Sequence, residues 1–279
     1  SATISIRHAG GRSPRRACPP LESGAMKLSV LMPAYNEVAT LERVLEAVLA
    51  TPQEKEIILV DDGSSDGTRE LVTRLGQRDG VRAILHQRNQ GKGAAVRTAL
   101  ALASGDVVLI QDCDLEYDPN DYAKLIEPIE KGESDVVYGT RSFGAHTSYS
   151  FWYVMGNKLV TLATNIIFDC YISDMETCYK VMRMEAARKL QLTARGFELE
   201  PEITGGLLNL GYHIYEVPIR YRARSREEGK KLTWQDGVKA LGMLTRVRLR
   251  QKAVRRREAD TIRVIKERAE RARARDLAG

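Results

Sequence analysis

Short apolar runs and segments of helical periodicity alternate along residues 28–139. The runs are typical of buried strands, and the segments between them place apolar residues on one helical face, as Leu41, Val44 and Val48 do. The pattern predicts strands at 28–32, 56–60, 83–86, 106–111 and 135–139, and helices at 40–49, 68–75, 91–102 and 122–131. This alternation predicts an α/β fold, with a mostly parallel sheet covered by helices on both faces.

The second half of the chain is less regular. We predict helices at 156–168 and 200–210, and a strand at 215–221. Pro218 would place that strand at the edge of the sheet, because proline cannot donate a ladder hydrogen bond. From Trp234 onward the pattern predicts one long helix or two.

Composition narrows the class of protein. The chain has 279 residues, of which 43% are hydrophobic, so it is long enough to bury a substantial core. Its four cysteines lack the paired spacing of a zinc site, and we expect reduced, buried thiols. No window approaches 18 uninterrupted apolar residues, so a membrane-spanning helix is not predicted.

Charge is distributed unevenly along the chain. The net charge is +6 overall, but residues 246–279 carry +8 and residues 1–25 carry +3, which leaves −5 for residues 26–245. A basic balance usually favours a nucleic-acid or membrane-surface partner. Here the positive charge lies at the ends, and the body is mildly acidic.

Three carboxylates follow the fourth predicted strand, at Asp112, Asp114 and Glu116. Alternate residues of an extended segment point the same way, so these three would project toward one point. Hard oxygen ligands of this kind suit Mg²⁺ or Mn²⁺. The alternative is a solvated acidic turn, but a position at the carboxyl end of a strand favours the metal site.

Two further polar clusters follow the first and second strands, at residues 33–37 and 60–68. Each has a simple structural explanation: Asn36 would cap the next helix, and the second cluster would be a glycine-containing turn. Polar clusters at three strand ends of one sheet nevertheless indicate a ligand site. The segment 91–93, Gly-Lys-Gly, lacks the P-loop pattern and predicts a tight turn that opens a helix, with Lys92 near the substrate.

The sequences P-A-Y-N-E (33–37), V-D-D-G-S-S-D-G-T (60–68) and D-C-D (112–114) resemble glycosyltransferase family 2, which has the nucleotide-sugar-binding, Rossmann-like GT-A fold. The chain further resembles the polyprenyl-phosphate sugar transferases, of which dolichol-phosphate mannose synthase is an example. This second resemblance is carried by residues 89–100, 139–141, 174–180, 196–203 and 216–224. Together the two cover about residues 27–245.

The resemblance implies a nucleotide-sugar site. Pro33, Tyr35 and Glu37 would flank the base and ribose, and Asp62, with the backbone near Val60, would hydrogen-bond the base. The remaining residues assigned to the nucleotide sugar are Lys92, Asp112, Cys113, Asp114, Glu116, Arg224, Lys230 and Lys231.

Metal and catalytic roles follow from the same resemblance. Asp112, Asp114 and Glu116 would bind Mg²⁺ or Mn²⁺ on the diphosphate, although the family often has Gln or Ser in place of Glu116. The residues assigned to catalysis are Asp114, Arg141 and Asp174. Arg141, Arg224 and either Lys230 or Lys231 match basic positions associated with phosphates, and a one-residue shift leaves both lysines open.

The implied activity is inverting, metal-dependent transfer of mannose or glucose from GDP-mannose or UDP-glucose to a polyprenyl or dolichyl phosphate. An anionic lipid phosphate needs little help from a general base, whereas a hydroxyl acceptor would need one. Asp174 and Glu176 either supply that base or fix the acceptor pocket, and His86 lies in no recognisable dyad. The alternatives are a soluble or protein acceptor and, more distantly, a basic nucleic-acid-binding protein, which would leave the acidic clusters unexplained.

Three segments are expected along the chain. Residues 1–25 would be a disordered leader or a cloning remnant, residues 26–235 the catalytic domain, and residues 236–279 a helical basic tail. The tail would attach the enzyme peripherally to an anionic membrane surface on the cytoplasmic face. The alternative for the tail is a solvated or frayed helix.

Overall fold

The structure, a computed structural model, describes residues 26–142, 151–223 and 235–250. Within these residues the strands are β1 Leu28–Ala34, β2 Lys55–Asp61, β3 Val81–Leu85, β4 Val107–Ile110, β5 Val136–Thr140, β6 Lys180–Arg183 and β7 Tyr215–Pro218. The helices are α1 Leu41–Ala50, α2 Thr68–Leu75, α3 Lys92–Leu102, α4 Tyr122–Glu130, α5 Phe151–Phe168, α6 Met184–Lys189 and α7 Leu199–Leu210, with a 3₁₀ turn at Pro119–Asp121 and a further helix over residues 235–250. The leader 1–25, the tail beyond residue 250, and the candidates Arg224, Lys230 and Lys231 lie outside the described residues.

The strands form one sheet in the order β3-β2-β1-β4-β6-β5-β7. All neighbouring pairs are parallel except β4–β6 and β6–β5, which are antiparallel. The predicted α/β fold with a mostly parallel sheet is confirmed, and β7 lies at the edge, where Pro218 predicts it.

The antiparallel strand β6 was not predicted from the sequence. Its four residues, Lys-Val-Met-Arg, begin and end with a basic side chain and so lack the apolar run of a buried strand. Both charges are nevertheless buried because each has a carboxylate partner. Lys180 Nζ lies 2.6 Å from Glu200 Oε2, and Arg183 Nε lies 3.1 Å from Asp135 Oδ1.

The first strand extends two residues further than predicted, through Pro33 to Ala34. Leu31 accepts a hydrogen bond from Gln111 on the β4 side, so Pro33, two residues on, faces the same side. The ladder between β1 and β4 ends at Leu31. The missing proline N–H therefore lies beyond the last paired residue, and the strand continues along β2.

Helix α5 begins at Phe151, five residues before the predicted start at Gly156. A side chain at Gly156 would have no atom within 4 Å, so this glycine is simply tolerated within the helix. Within the described residues no helix is long and apolar enough to cross a membrane. The three described cysteines are free, and Cys113 and Cys178 are buried, as expected.

Candidate active site

The loops after β1 and β2 are joined by hydrogen bonds at the carboxyl edge of the sheet. Asn36 donates its backbone N–H to Ser64 Oγ (3.0 Å), and its side-chain oxygen accepts from the Ser65 N–H (2.9 Å). Glu37 donates its N–H to Thr68 Oγ1 (2.8 Å). Asn36 has a φ of +52°, a conformation that asparagine tolerates better than most residues. The two predicted clusters do meet, but Asn36 braces the second loop and does not cap α1.

Three candidates for contact with the base and ribose are half-buried at the end of β1 and on the loop that follows: Pro33, Tyr35 and Glu37. Val60 is fully buried in β2. Glu37 Oε2 accepts from the Thr40 hydroxyl (3.0 Å), which is also 2.7 Å from the carbonyl oxygen of Cys113. The first loop is thereby tied to the acidic segment after β4.

Asp62, the candidate for contact with the base, is buried and braces the loop after β3. Its carboxylate accepts from the backbone N–H groups of Gln90 (3.0 Å) and Gly91 (2.6 Å) and lies 2.7 Å from His86 Nδ1. His86 Nε2 lies 3.0 Å from Thr98 Oγ1 on α3. The expectation that His86 lies in no dyad is wrong, because β3 lies next to β2 in the sheet.

Lys92 connects the acidic segment to α7 and β6 through ion pairs. Its Nζ lies 2.8 Å from Asp112 Oδ1 and 3.1 Å from Glu200 Oε1. The other Glu200 oxygen binds Lys180, which is 0% exposed and also donates to two backbone carbonyls. Burial by itself would lower the pKa of Lys92, but the negative charges beside it, Asp112 first, raise that pKa well above its ordinary value.

Two glycines flank Lys92 at the start of α3, where the backbone of residues 194–196 passes close to the helix. Gly91 has a φ of +95°, and α3 begins at Lys92. Gly93 donates its N–H to the Arg195 carbonyl (2.7 Å), and a Cβ on either glycine would overlap the carbonyl of Arg195 or Ala194. The predicted tight turn that opens a helix is confirmed, and its glycines are required by the close approach of residues 194–196.

The acidic segment after β4 does not project its three carboxylates toward one point. Leu115 has a φ of +60°, so the chain turns before Glu116. Glu116 donates its N–H to Asp114 Oδ1 (3.2 Å), and its carboxylate accepts from the Tyr221 hydroxyl (2.8 Å). The extended geometry expected for Asp112, Asp114 and Glu116 is therefore wrong at the third residue.

The environment of the first two carboxylates nevertheless fits a cation. Burial first, and then the negative charges of Asp112, Glu37 and Asp114, raise the pKa of the Cys113 thiol well above its ordinary value. Across the described residues, no three His, Cys, Asp or Glu side chains are grouped closely enough to hold a metal ion. Hard oxygen donors in this negative field suit Mg²⁺ or Mn²⁺ with Asp112 and Asp114 as protein ligands.

The partly buried Arg141 forms a two-pronged ion pair with the buried Asp174. Arg141 Nε donates to Asp174 Oδ2 (2.7 Å), Arg141 Nη2 donates to Oδ1 (2.8 Å), and the Arg141 backbone N–H donates to Oδ2 (3.1 Å). Asn157 on α5 adds a fourth hydrogen bond to Asp174, which is 1% exposed. Burial would raise the pKa of Asp174, but Arg141 holds it below its ordinary value. The Arg141 guanidinium also lies 5.0 Å from the ring centre of Tyr221.

The loop that carries Asp174 is fixed by the edge strand. Glu216 on β7 accepts from the N–H groups of Ser173 (2.9 Å) and Asp174 (3.2 Å) and from the Ser173 hydroxyl (2.9 Å). The Ser173 hydroxyl also lies 2.7 Å from Thr140 Oγ1 at the end of β5. Asp174 is therefore held in place from two strands, β5 and β7.

Glu176 lies next to this pair and near the Lys180–Glu200 pair. Burial first, and then the charge of Glu200, raise the pKa of Glu176 to about 7, although Lys180 and Arg141 oppose the shift. A carboxyl group with this pKa exchanges a proton near neutral pH, as a general base must.

Sequence reasoning did not single out several residues of this site. They are Asn157, Lys180, Glu200, Glu216 and Tyr221, each of which contacts a predicted residue or its immediate partner. All of them except Asn157 occur within the stretches that carry the family resemblance. Their contacts depend on strand order and on helices distant in sequence, which no local pattern reveals.

Residues 29–191, more than half of the chain, match the family model for glycosyl transferase family 2. The chain is 32% identical over 212 residues to a dolichol-phosphate mannosyltransferase of Pyrococcus furiosus, covering 74% of this chain and 59% of that protein. It is 30% identical over 209 residues to an undecaprenyl-phosphate 4-deoxy-4-formamido-L-arabinose transferase of Pseudomonas aeruginosa, covering 73% and 60%. The chain thus spans about 60% of the length of these curated relatives.

Among solved structures, the chain is similar to glucosyl-3-phosphoglycerate synthase from Mycobacterium tuberculosis. The complex of that enzyme with Mn²⁺, UDP and glucosyl-3-phosphoglycerate has a TM-score of 0.60 at 22% identity, covering 81% of this chain and 80% of that one. Its complex with Mg²⁺ and UDP has a TM-score of 0.61. This similarity shows that the expected GT-A fold is present. From its family model and its relatives, the chain belongs to glycosyltransferase family 2.

Proposed function

We propose that this glycosyltransferase transfers mannose or glucose from GDP-mannose or UDP-glucose to a polyprenyl phosphate, with inversion at the sugar. The observation that carries the proposal is the arrangement of opposite charges at one edge of the sheet. Asp112 and Asp114 form an acidic strand end. The partly buried Lys92 pairs with Asp112, and the partly buried Arg141 lies against Tyr221, which binds Glu116 of the same segment. Such an arrangement suits a metal-bound diphosphate next to a second phosphate group.

In this reaction a phosphate oxygen of the acceptor forms a bond to the anomeric carbon, and the nucleoside diphosphate leaves with the bonding electrons. A divalent cation held by Asp112 and Asp114 would neutralise charge on the departing diphosphate. Arg141 has five N–H donors, and its ion pair with Asp174 uses only some of them, which leaves capacity for a phosphate. The acceptor is already anionic, so proton removal is not required.

The names of the two curated relatives support a polyprenyl phosphate as acceptor. A soluble phosphorylated acceptor is the second candidate, because glucosyl-3-phosphoglycerate synthase has also been crystallised with phosphoglyceric acid. The lipid acceptor is preferred since the relatives with lipid-linked substrates are closer in sequence. We further propose peripheral attachment at the cytoplasmic membrane face, through the basic tail 236–279.

A screen of radiolabelled sugar nucleotides tests this proposal. Purified protein is incubated with GDP-mannose or UDP-glucose, with Mg²⁺ or Mn²⁺, and with either a polyprenyl phosphate in detergent or 3-phosphoglycerate. We expect label in the lipid product with one donor, and loss of transfer in EDTA. Label appearing only in the phosphoglycerate product would overturn the lipid acceptor in favour of the soluble one.

The role of Asp114 is tested in the same assay. Asp114→Ala is expected to lower transfer by about 10³-fold with the fold retained, since it removes a metal ligand. Asp118→Asn is the matched control, because Asp118 caps the 3₁₀ turn and asparagine caps equally well. Unchanged transfer by the Asp114 variant would exclude the assigned metal role.

A further inference from the structure

Helix α5 has its polar residues facing the protein. Asn157 donates to Asp174 (3.1 Å), and the Thr161 hydroxyl accepts from the Met175 N–H (3.2 Å). Asn165, one turn further on, bonds to both the N–H and the carbonyl of the backbone at residue 172. Val160 and Phe168 are buried beside these polar residues, so the side of α5 that faces the protein is mixed, and the helix has more apolar surface than that side can cover.

The opposite side of α5 is apolar and exposed. Its six large residues, named here the α5 apolar face, are Phe151, Trp152, Met155, Leu159, Leu162 and Ile166. At 3.6 residues per turn they fall within an arc of about 100°. Trp152 is 80% exposed and Ile166 is 73% exposed. A contiguous apolar patch of this kind on a folded domain marks a site of interaction.

Exposed basic residues lie on α5 and near its C-terminal end, where the exposed Asp169 also follows the helix. The helix contains no Asp or Glu, and its one charged residue, Lys158, is exposed. At its end, the Arg248 guanidinium lies 5.6 Å from the ring centre of Phe168. The helix 235–250, which carries Arg248, also exposes Arg246 and Arg250. An apolar strip bordered by basic side chains complements a surface of anionic headgroups over hydrocarbon.

We propose that the α5 apolar face docks on an anionic lipid bilayer, with the helix lying in the headgroup region. The choice of a bilayer rests on the proposed function, since a polyprenyl phosphate resides there. Trp152 and Phe151 would sit at the boundary between water and hydrocarbon, where aromatic side chains are favoured. Asn157 contacts Asp174 from the other side of the same helix, so docking brings the Arg141–Asp174 pair within about 10 Å, one helix diameter, of the bilayer.

Vesicle sedimentation tests the docking. The full chain is mixed with vesicles of phosphatidylcholine and phosphatidylglycerol, alongside the triple variant Trp152→Ser, Leu159→Gln, Ile166→Gln. We expect the triple variant to lose about 100-fold or more in partitioning, because three apolar side chains no longer enter the bilayer. Leu102→Gln, on the exposed side of α3, is the matched control and should bind like the wild type. Wild-type binding by the triple variant would overturn the proposal.

Fluorescence gives a measure that does not depend on the triple variant. Trp234→Phe leaves Trp152 as the single tryptophan of the chain. Its emission should shift to shorter wavelength on vesicles and be quenched by brominated lipid. Vesicle binding without quenching would show that the proposed tail attaches the protein without α5 and would overturn the docking of α5; deletion of residues 251–279 would then abolish binding. A different result would assign the face to a second copy of the chain. In that case the protein would form dimers without lipid, only the triple substitution would dissociate them, and brominated lipid would not quench Trp152.

Transfer assays separate this inference from the proposed function. The triple variant should keep transfer to a water-soluble, short-chain isoprenyl phosphate and lose transfer to polyprenyl phosphate embedded in vesicles. If the wild type transfers to neither acceptor while Trp152 is quenched, the proposed acceptor fails and the docking stands. If the triple variant matches the wild type on embedded acceptor, the docking fails and the acceptor stands.

Discussion

The polar groups after β1, β2 and β3 are joined by hydrogen bonds between neighbouring loops, whereas those after β4 and β5 are held by buried ion pairs. In the first region, Asn36 and Asp62 bind backbone N–H groups of adjacent loops. In the second region, Arg141 pairs with Asp174, and Lys92 reaches Glu200 on α7. The first region therefore distributes its stability over many small contacts, and the second concentrates it in a few.

This difference has energetic consequences. A single hydrogen bond contributes about 0.5–1.5 kcal/mol net, and its neighbours remain when it is lost. Removing one partner of a buried ion pair costs about 3–5 kcal/mol, because the other charge is left without compensation. Substitutions should thus be tolerated at the hydrogen-bonding residues of the loops after β1 to β3. They should be poorly tolerated at Arg141 and at Lys92, which follows β3 but pairs with Asp112 after β4.

The largest effect is expected at Asp174. Asp174→Ala should lower the free energy of unfolding by about 3–5 kcal/mol, since Arg141 loses its partner while buried. Urea unfolding measures it, with Glu127→Ala as control. That control breaks the exposed Lys131–Glu127 pair and should cost about 0.5 kcal/mol or less. Equal losses in the two variants would contradict the contrast between the regions.

The Arg141–Asp174 pair should also make the free energy of unfolding depend on pH. Because the pKa of Asp174 is lowered in the folded state, its contribution is fully present above its unfolded value of about 3.9. The contribution is lost as the pH falls through the lower folded value. The stability difference between wild type and Asp174→Ala should therefore be constant from pH 5 to 8 and shrink below pH 4.

A smaller effect is expected where the two regions touch, at Gly91. Gly91→Ala should cost about 2–4 kcal/mol, since its φ is positive and a Cβ would overlap the Arg195 carbonyl. Gly242→Ala is the control, because Gly242 lies in a helix with no atom within 4 Å of an added Cβ and should become slightly more stable. Thermal unfolding that ranks the two variants in the opposite order would refute the close contact.

Glu176→Gln tests how a carboxyl group with a raised pKa affects stability in the second region. Glu176 is protonated in the folded state up to about pH 7 but ionises at about 4.3 when unfolded, so its contribution to stability falls as the pH rises between these values. At pH 8 the variant should be more stable than the wild type by about 3 kcal/mol, and near pH 4 the two should coincide. Urea unfolding across this range, with exposed Glu133→Gln as control, measures the difference.

The smallest effect is expected in the first region, at Thr98. Thr98→Val removes the hydroxyl beside His86 Nε2 and should cost about 1 kcal/mol, because Asp62 keeps its contacts with the loop after β3. Chemical denaturation would reveal it. A loss as large as that of Asp174→Ala would show that the first region also depends on a single contact.

Local pattern was sufficient to predict the elements from β1 to α4, but not the contacts between their loops or the strand β6 that follows. Each strand and helix from β1 to α4 was predicted to within about two residues, because each buries its own apolar run or face. Strand β6 was missed, since its charged residues Lys180 and Arg183 are buried only in the presence of Glu200 and Asp135. The convergence expected for Glu116 failed because the chain turns at Leu115 and the Glu116 carboxylate accepts a hydrogen bond from the Tyr221 hydroxyl.

The sequence by itself determined the family, the parallel part of the sheet and the strand ends at which the chemistry lies, since these depend on periodicity and on short motifs. The tertiary structure decided which charges pair, as in Lys92 with Glu200 and Arg141 with Asp174. It also decided that α5 exposes its apolar side, because the polar side of that helix is required by Asp174 and its loop. Periodicity shows that a helix has two faces, but only its neighbours determine which face is buried.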